Sequence, residues 1–556
     1  YKAGKIDSAM NIYSIIKENS AIFENIPENS MANLYESVGL CYFKKSFYSY
    51  AEDFYKKALL LTKKNSGKAS LYQNLSDLYY KSDKLSLALK MLSNADKLIS
   101  DRDNTGKMKV NNTRSLIEVK LGNIPAALTY SYNSLERSIE SKNKFEESIA
   151  RVNLAKILIL AKKIKKAEHN LKLSSQLAEG TKNKSAMISS EFYKGIILAE
   201  HKLKPEEALK KFQRSLSLSK ESTDKLFEAR SLYQIGMIYF NQQNTASSHN
   251  YLNQCSLLAE KYDIKDIYYK SEQNIAELEI IKGTMDLTRL QTVIGKIEDN
   301  ILFRSESPLS ISEMNVVTRI YDIAIATLFN KGNINSILSM IQARDHILAQ
   351  NDINYFKSES YADVNKIRES IRKLYSEKIS LRLQGKSYSD VEQLIAKEKE
   401  KYEGTIKNSI YEKNIYSIGQ MQENLGNEDV ILVYSPFDLA LNVIVVAKKI
   451  ATIQRGKLKD TYSENIADRI ENRSDLTAQA KKAYNDLFKD PVLNMVYGKK
   501  NLLIYSSGSL KNFPFDLMYD GEKHLIETFN ISEISTLSPI KTEDHQFAKS
   551  LSFVNP

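Results

Sequence analysis

From the start of the chain to about residue 290, apolar positions recur three and four apart, the spacing of one face of an α-helix. Small residues punctuate this pattern at Ala9, Ala51, Ala88, Ala127, Ala167, Ala208 and Ser248, roughly 40 residues apart. Each falls in the second helix of an expected helix-turn-helix pair, where anything larger than a methyl or hydroxymethyl group would hold the neighbouring helix away. In the clearest copy, Tyr35, Val38, Gly39 and Tyr42 share one face of a first helix, and Ala51, Tyr55 and Ala58 share one face of the second. Tyr72, Leu75, Ser76, Tyr79, Ala88, Leu92 and Ala95 repeat the arrangement, as do Leu232, Ile235, Gly236, Tyr239, Ser248, Leu252 and Cys255. The copies around Ala127 and Ala208 follow it less closely. Gly122-Asn123 ahead of Ile124-Pro125 marks a turn, and Pro205 opens a helix, where its missing N–H costs nothing.

A further helix pair is expected between about 308 and 350, entered at Pro308 and turning at Lys331-Gly332-Asn333. From about 360 to 424 the pattern is long, charged and helical, with a break at Gln384-Gly385-Lys386. The period changes at Asp429. Val430 to Tyr434 and Leu441 to Val446 are β-branched runs separated by Ser435-Pro436-Phe437-Asp438, which predicts a hairpin. Helices are expected over about 459 to 488. Leu502-Leu503-Ile504-Tyr505 then forms an unbroken apolar run, as in a strand of a parallel sheet covered on both faces. Gly508 allows the chain to turn, and Leu510, Phe513 and Phe515 return apolar groups to the core around Pro514.

The repeated pattern resembles the tetratricopeptide (TPR) unit, although the interval exceeds the ~34 residues of a standard TPR, and a HEAT-like or other α-solenoid stays open. Gly508, Leu510, Pro514, Phe515 and Leu517, with His524-Leu525-Ile526-Glu527 and Ser535 to Ser538, resemble the middle of a CHAT domain, the caspase-like cysteine peptidase domain found behind TPR repeats. Ala483 to Phe488 resembles the helix before this strand in that family, Leu551 to Pro556 the strand after it, and Ile341 to Leu348 the last helical segment ahead of such domains. The resemblance implies a bacterial or archaeal protein whose catalytic histidine and cysteine come on later strands, so the chain is expected to end before either.

Composition changes this picture little. With 42% hydrophobic and 26% charged residues the chain reads as globular, and nothing in it approaches the ~18 consecutive apolar residues of a membrane span. The net charge of +11 raises the question of nucleic acid. Basic residues are interspersed with acidic ones, as in Ile395 to Lys401, and the cluster Lys162-Lys163-Ile164-Lys165-Lys166 has no interleaved aromatics for base stacking. Nucleic-acid binding is therefore not expected.

A caspase-like peptidase needs a thiolate and a histidine on neighbouring strand ends. Cys41 and Cys255 both fall on apolar helical faces in the repeats and read as structural thiols. His169, His201, His249, His346, His524 and His545 show no metal-ligand spacing, and the last two precede the strand that carries the family's histidine. Gly508-Ser509-Leu510-Lys511 lacks the second glycine and the Lys-Ser/Thr pair of a phosphate loop. No catalytic residue, cofactor or metal is assigned.

The expected architecture is multidomain: an all-α TPR-like solenoid over 1–300, a further hairpin and bridging helices over 301–425, and an incomplete α/β caspase-like (CHAT) sandwich over 426–556. First helices of such a solenoid line a groove for a protein or peptide partner, and Gln73, Asp77, Tyr193, Tyr233, Gln273 and Glu277 face it in the TPR register. Two functions compete: the partner-binding part of a regulated TPR-CHAT cysteine peptidase, and a non-catalytic scaffold. The compartment stays open, the cytoplasm being favoured.

Overall fold

The computed structural model describes Tyr13 and residues 26–537, except 45–47, 83, 303–308, 310, 354–361, 384–385, 407–412, 414, 459–475, 490, 512 and 536. Ala9, Pro308, the Gln384-Gly385 break, the first part of the 459–488 segment, Ser538, His545 and the closing Leu551 to Pro556 lie outside the described residues. Two compact units emerge, the first from 1–278, 302–309 and 354–407, the second from 279–301, 310–353 and 408–556. Both draw on the stretch 301–425.

The repeats are built from α1 (Glu28–Lys44), α2 (Tyr48–Leu61), α3 (Asn65–Lys81), α4 (Leu85–Leu98), α5 (Asn104–Lys120), α6 (Ile124–Glu140), α7 (Lys144–Leu160), α8 (Ile164–Thr181), α9 (Lys184–Ile196), α10 (Pro205–Ser222), α11 (Lys225–Asn241), α12 (Thr245–Lys261) and α13 (Lys265–Lys282). Helices pair as antiparallel hairpins, α1 with α2 through α11 with α12. Ala51, Ala88, Ala127, Ala167, Ala208 and Ser248 all sit on second helices and are fully buried.

What sets the long repeat is a turn used again and again. Gly122, Lys142, Lys162, Lys182, Leu203, Thr223, Gln243, Asp263 and Gly283 all have positive φ, 20 residues apart except for one interval of 21 ending at Leu203. Each closes a helix, and after most of them the next amide bonds back to the fifth carbonyl before, as in Lys163 N–H to Leu158 O (2.8 Å), Asn183 N–H to Ala178 O (2.8 Å) and Asn244 N–H to Tyr239 O (3.0 Å); Asn143 N–H instead meets the Ser141 hydroxyl, and Lys204 N–H reaches one carbonyl further, to Leu198 O. The next residue then caps the following helix: Asn123, Asn143, Asn183, Asp224 and Asn244 accept from amides of the first turn. Helices of 17 or 18 residues joined this way account for the long interval.

The extra residue in the long interval is a π-helical turn, Ile197–His201, in which Lys202 N–H reaches Ile197 O. It explains why the copy around Ala208 fits the pattern poorly. Counting back from Ala208 misses Gly195, whose position a Cβ would share with the Phe212 ring at 2.6 Å. Gly39 under Tyr55 and Gly236 under Leu252 are the same joint in other copies. A second joint recurs one turn later: Ser134, Ser174, Ser215 and Cys255 donate to the carbonyls of Met108, Ser148, Ile188 and Ala229. Two further helices, α17 (Ala362–Leu383) and α18 (Ser389–Ile406), belong to this unit, and Arg382 donates to the Glu260 and Lys261 carbonyls.

The second unit holds α14 (Leu287–Leu302), α15 (Ile311–Lys331), α16 (Ile334–Ile353) and α19 (Ile418–Glu423) with a five-stranded mixed sheet ordered β3-β2-β1-β4-β5. Its strands are β1 (Asp429–Phe437), β2 (Ala440–Ala447), β3 (Ile450–Lys457), β4 (Asn501–Ser506) and β5 (Asn530–Glu533). β1, β2 and β3 are antiparallel, while β4 runs parallel to β1 and β5 parallel to β4. The hairpin turn is tighter than the Ser435–Asp438 loop predicted for it: β1 continues through Phe437 and only Asp438-Leu439 turn, with Asp438 at φ 51°. Pro436 is tolerated because β1 passes it after its pairing with β4 has ended at Tyr434. Both faces of the sheet are covered. Val430, Leu432, Tyr434, Leu502 and Ile504 pack on Leu487, Phe488 and Phe515, and Ile431, Val433, Leu503 and Tyr505 on Ile325, Phe329, Leu338 and Ile341. Double coverage is why the strands read as unbroken apolar runs.

Candidate partner-binding wall

In the repeat unit first helices stack on first helices, α1 on α3, α3 on α5, α5 on α7, α7 on α9 and α9 on α11. Polar side chains stitch this wall together. Asn74 donates to Glu36 (2.9 Å), Thr113 to Asp77 (2.9 Å), Asn153 to Asn112 (2.7 Å) and Asn274 to Tyr233 (3.3 Å), each bond joining consecutive first helices.

All six residues expected to face a partner lie on first helices and are half-buried. Gln73 and Asp77 sit one turn apart on α3, Gln73 donating to Gly106 O at 3.3 Å and Asp77 accepting from Thr113. Gln273 and Glu277 are bonded to each other along α13 at 3.1 Å. Tyr193 stands edge-on to Phe192 in a cluster with Ile149, Val152 and Met187. Tyr233 packs with Met237, Phe240 and Leu252 in a separate one. Burial pushes both phenols up, so they act as neutral hydrogen-bonding groups on an apolar base. The wall therefore offers amide donors and acceptors beside aromatic and methionine surface, the mixture that suits a peptide chain with apolar side chains.

Sequence reasoning missed Glu36, Asn74, Asn112, Asn153 and Asn274, although they recur near one helical position at the repeat interval. It also missed Lys156 on α7, whose ammonium burial drives down to about 8, assisted by the positive fields of Arg230, Lys81 and Lys120.

Neither thiol is set up for attack. Cys41 and Cys255 are buried, and Cys255 occupies a place that serine fills in three other copies, donating to Ala229 O at 3.1 Å. Burial pushes its thiol up to about 12, the opposite of what a nucleophile requires.

The second unit has its own polar centre. Arg344 on α16, 4% exposed, reaches Asp322 on α15 at 2.7 Å and the Tyr505 hydroxyl on β4 at 3.0 Å; that hydroxyl donates to Asp345 at 2.6 Å. Burial opposes the Arg344 charge, but Tyr505, Asp345 and Asp322 more than offset it and hold the guanidinium protonated. Arg319 on α15 pairs with Asp438 at 3.0 Å and lies 4.5 Å from the Phe437 ring centre. These groups tie the helix pair to the strands and, being mutually satisfied, leave no acid or base poised for chemistry. His346 is lowered to about 4, chiefly by burial and then by Lys413. His524 caps a short helix with Nδ1 2.9 Å from Leu517 O. A cavity of about 340 Å³ at the start of β4 is lined by Tyr484, Tyr497, Lys499, Asp520 and Lys523, and Asp520 is held low by the amides of Lys523 and Glu522. Among the described residues no cluster of metal-ligating side chains occurs, and no helix is long and apolar enough to cross a membrane.

No protein-family model matches the chain, and no curated protein sequence matches it. Solved structures do. A STAND signal-transduction ATPase with a tetratricopeptide repeat sensor from Pyrococcus horikoshii aligns over 69% of this chain and 54% of its own, at 16% identity and TM-score 0.38. Aspartyl phosphate phosphatase F of Bacillus subtilis aligns over 64% of this chain and 93% of its own, at 13% identity and TM-score 0.38. YrrB, a TPR protein with an unusual peptide-binding site, aligns over 39% and 95%, at 19% identity and TM-score 0.23. The small-residue joints and stacked hairpins make this chain a TPR-like helical repeat followed by a small mixed sheet.

Proposed function

We propose that the chain is a scaffold whose first-helix wall takes an extended segment of a protein partner. The observation that carries this is the run of side-chain bonds between consecutive first helices with the half-buried Tyr193 and Tyr233 beside it. Gln73, Asp77, Tyr193, Tyr233, Gln273 and Glu277 are the partner-facing residues in this reading. Peptides selected from a random display library against the 556-residue chain test it. Tyr193→Ala and Tyr233→Ala are expected to weaken their binding, while a change on the outer face of a second helix, Lys172→Ala, leaves it intact. Selected peptides indifferent to both tyrosines would sink the idea.

A finer reading makes this scaffold the sensing part of a TPR-CHAT cysteine peptidase. The parallel β1, β4 and β5, covered on both faces, support it, together with the order of the residues that resemble the CHAT domain. In this reading the catalytic histidine and cysteine are supplied by strands beyond those described. Coding sequence past Pro556 with a histidine at one strand end and a cysteine at another should yield a polypeptide that cleaves an added protein and stops when that cysteine becomes alanine. A coding sequence with neither leaves only the scaffold.

A further inference from the structure

β3 ends the sheet and pairs with β2 alone. The register of that pair shows which backbone groups of β3 are left over. Lys448 and Lys449 form a two-residue turn between the paired Ala447 and Ile450, and beyond the far end of the ladder Leu458 N–H bonds Leu439 O at 2.8 Å. Bonded positions alternate along an antiparallel pair, so Ile450, Thr452, Gln454 and Gly456 turn their N–H and C=O groups to β2, while Ala451, Ile453, Arg455 and Lys457 turn theirs away from the sheet. Among the described residues no backbone hydrogen bond reaches this second set. The edge also lacks two devices that commonly stop further pairing. It runs for eight residues with no proline and no bulge, whereas β5 at the other edge has only four.

What the edge does carry is charge of one sign. From Lys448 to Leu458 the chain holds Lys448, Lys449, Arg455 and Lys457 and no acid. Arg455 is taken by Phe329 O at 2.6 Å, and Lys448 reaches Glu423 O at 3.2 Å. Lys449 and Lys457 are exposed at the two ends of the strand, with Ala451, Thr452 and Ile453 between them.

We propose that the outer edge of β3 takes up an extended segment of a protein partner as a sixth strand, and that this segment is apolar in its middle and carries Asp or Glu at its ends. Main-chain bonds to Ala451, Ile453, Arg455 and Lys457 hold it, and Lys449 and Lys457 select its charge. The same charge disfavours a second copy of the chain, since two β3 edges side by side bring both sets of cations together without an acid. This site lies in the sheet unit and is independent of the first-helix wall.

Proline at 451 removes one outward N–H and spares the bonds to β2, so Ala451→Pro is the discriminating variant. Peptides are selected from a random display library on the full chain and sorted by loss of binding to Ala451→Pro, whose fold is checked by circular dichroism. If the proline variant loses its fold, the double variant Lys449→Glu with Lys457→Glu does the sorting. The sorted peptides are expected to carry Asp or Glu at their ends, to be weakened about tenfold or more by the double charge reversal, and to be unaffected by Tyr193→Ala and Tyr233→Ala. N-methylation of alternate amides in a synthetic copy should abolish binding for one set of positions and not for the other. Failure to recover any peptide lost on these β3 variants overturns the site. Sorted peptides without acidic enrichment, or bound equally after charge reversal, overturn the charge assignment, and indifference to N-methylation of both sets overturns the strand pairing. Gln454→Cys places a thiol on the edge while Cys41 and Cys255 stay buried. A disulfide-linked dimer of that variant on mild oxidation, with the parent sedimenting as a dimer, overturns the acidic partner in favour of a second copy; a monomeric parent is expected.

Discussion

The two units are held together on different length scales. Between α1 and α13, the side-chain bonds between helices join residues 11 to 41 positions apart, and joints such as those of Ser134, Ser174, Ser215 and Cys255 recur from copy to copy. In the sheet unit, the Asn501 side chain bonds Asp429 across 72 positions and Tyr505 bonds Asp345 across 160. Damage in the first should therefore stay local, because each hairpin depends on its neighbours alone; damage in the second should spread, because strands and helices far apart in sequence share one core.

The sharpest test of this contrast is Arg344→Met. It leaves the half-buried Asp322 and Asp345 and the buried Tyr505 hydroxyl without their cation, and a loss of about 3 kcal/mol is expected. Two-transition chemical denaturation should show the sheet unit's midpoint falling and that of the repeats unmoved; a shift in both would dissolve the distinction. Next comes Gly195→Ala. Its methyl would meet the Phe212 ring at 2.6 Å, and a net cost of about 1–3 kcal/mol follows, the better helix propensity of alanine notwithstanding. Amide exchange should quicken in α9 and α10 and their neighbours only, and uniform loss of protection would contradict a chain of semi-independent hairpins.

Two smaller effects sharpen the picture of the repeats. Leu203 holds φ 52° with its side chain 79% exposed, so Leu203→Gly removes strain at no packing cost and should stabilise by roughly 0.5–1 kcal/mol in thermal melts. A destabilised Leu203→Gly would mean that the side chain contributes something beyond its backbone role. Cys255→Ser is expected to change stability by less than about 1 kcal/mol, since serine makes the equivalent bond in three other copies. The parent's Cys255 should also resist alkylation until unfolded, and rapid labelling of the native chain would refute its assignment as a structural thiol.

Much of the fold is legible in the residue pattern. Ala51 through Ser248 announce the helical hairpins because a close helix crossing admits only a small side chain, and Val430 to Tyr434 and Leu502 to Tyr505 announce covered strands because both faces are apolar. β3 and β5 escape such reading, the first because an edge strand such as Ile450–Lys457 keeps a half-exposed, mixed sequence, the second because four residues carry too little pattern. On the wall, spacing places Gln73, Asp77, Tyr193, Tyr233, Gln273 and Glu277 on first helices but cannot show what each one touches.

The sequence by itself determined the period, the small-residue joints and the apolar strands, since these depend on side-chain size and polarity at fixed spacing. Tertiary structure alone decided the rest. The left-handed turns fall on residues such as Lys162, Lys182 and Gln243, which carry no turn signal, because the carbonyls they release are satisfied by the amide that follows. The lowered proton affinity of half-buried Lys156 and the clasp of Arg344 on Tyr505 likewise arise only when helices distant in sequence bring their side chains together.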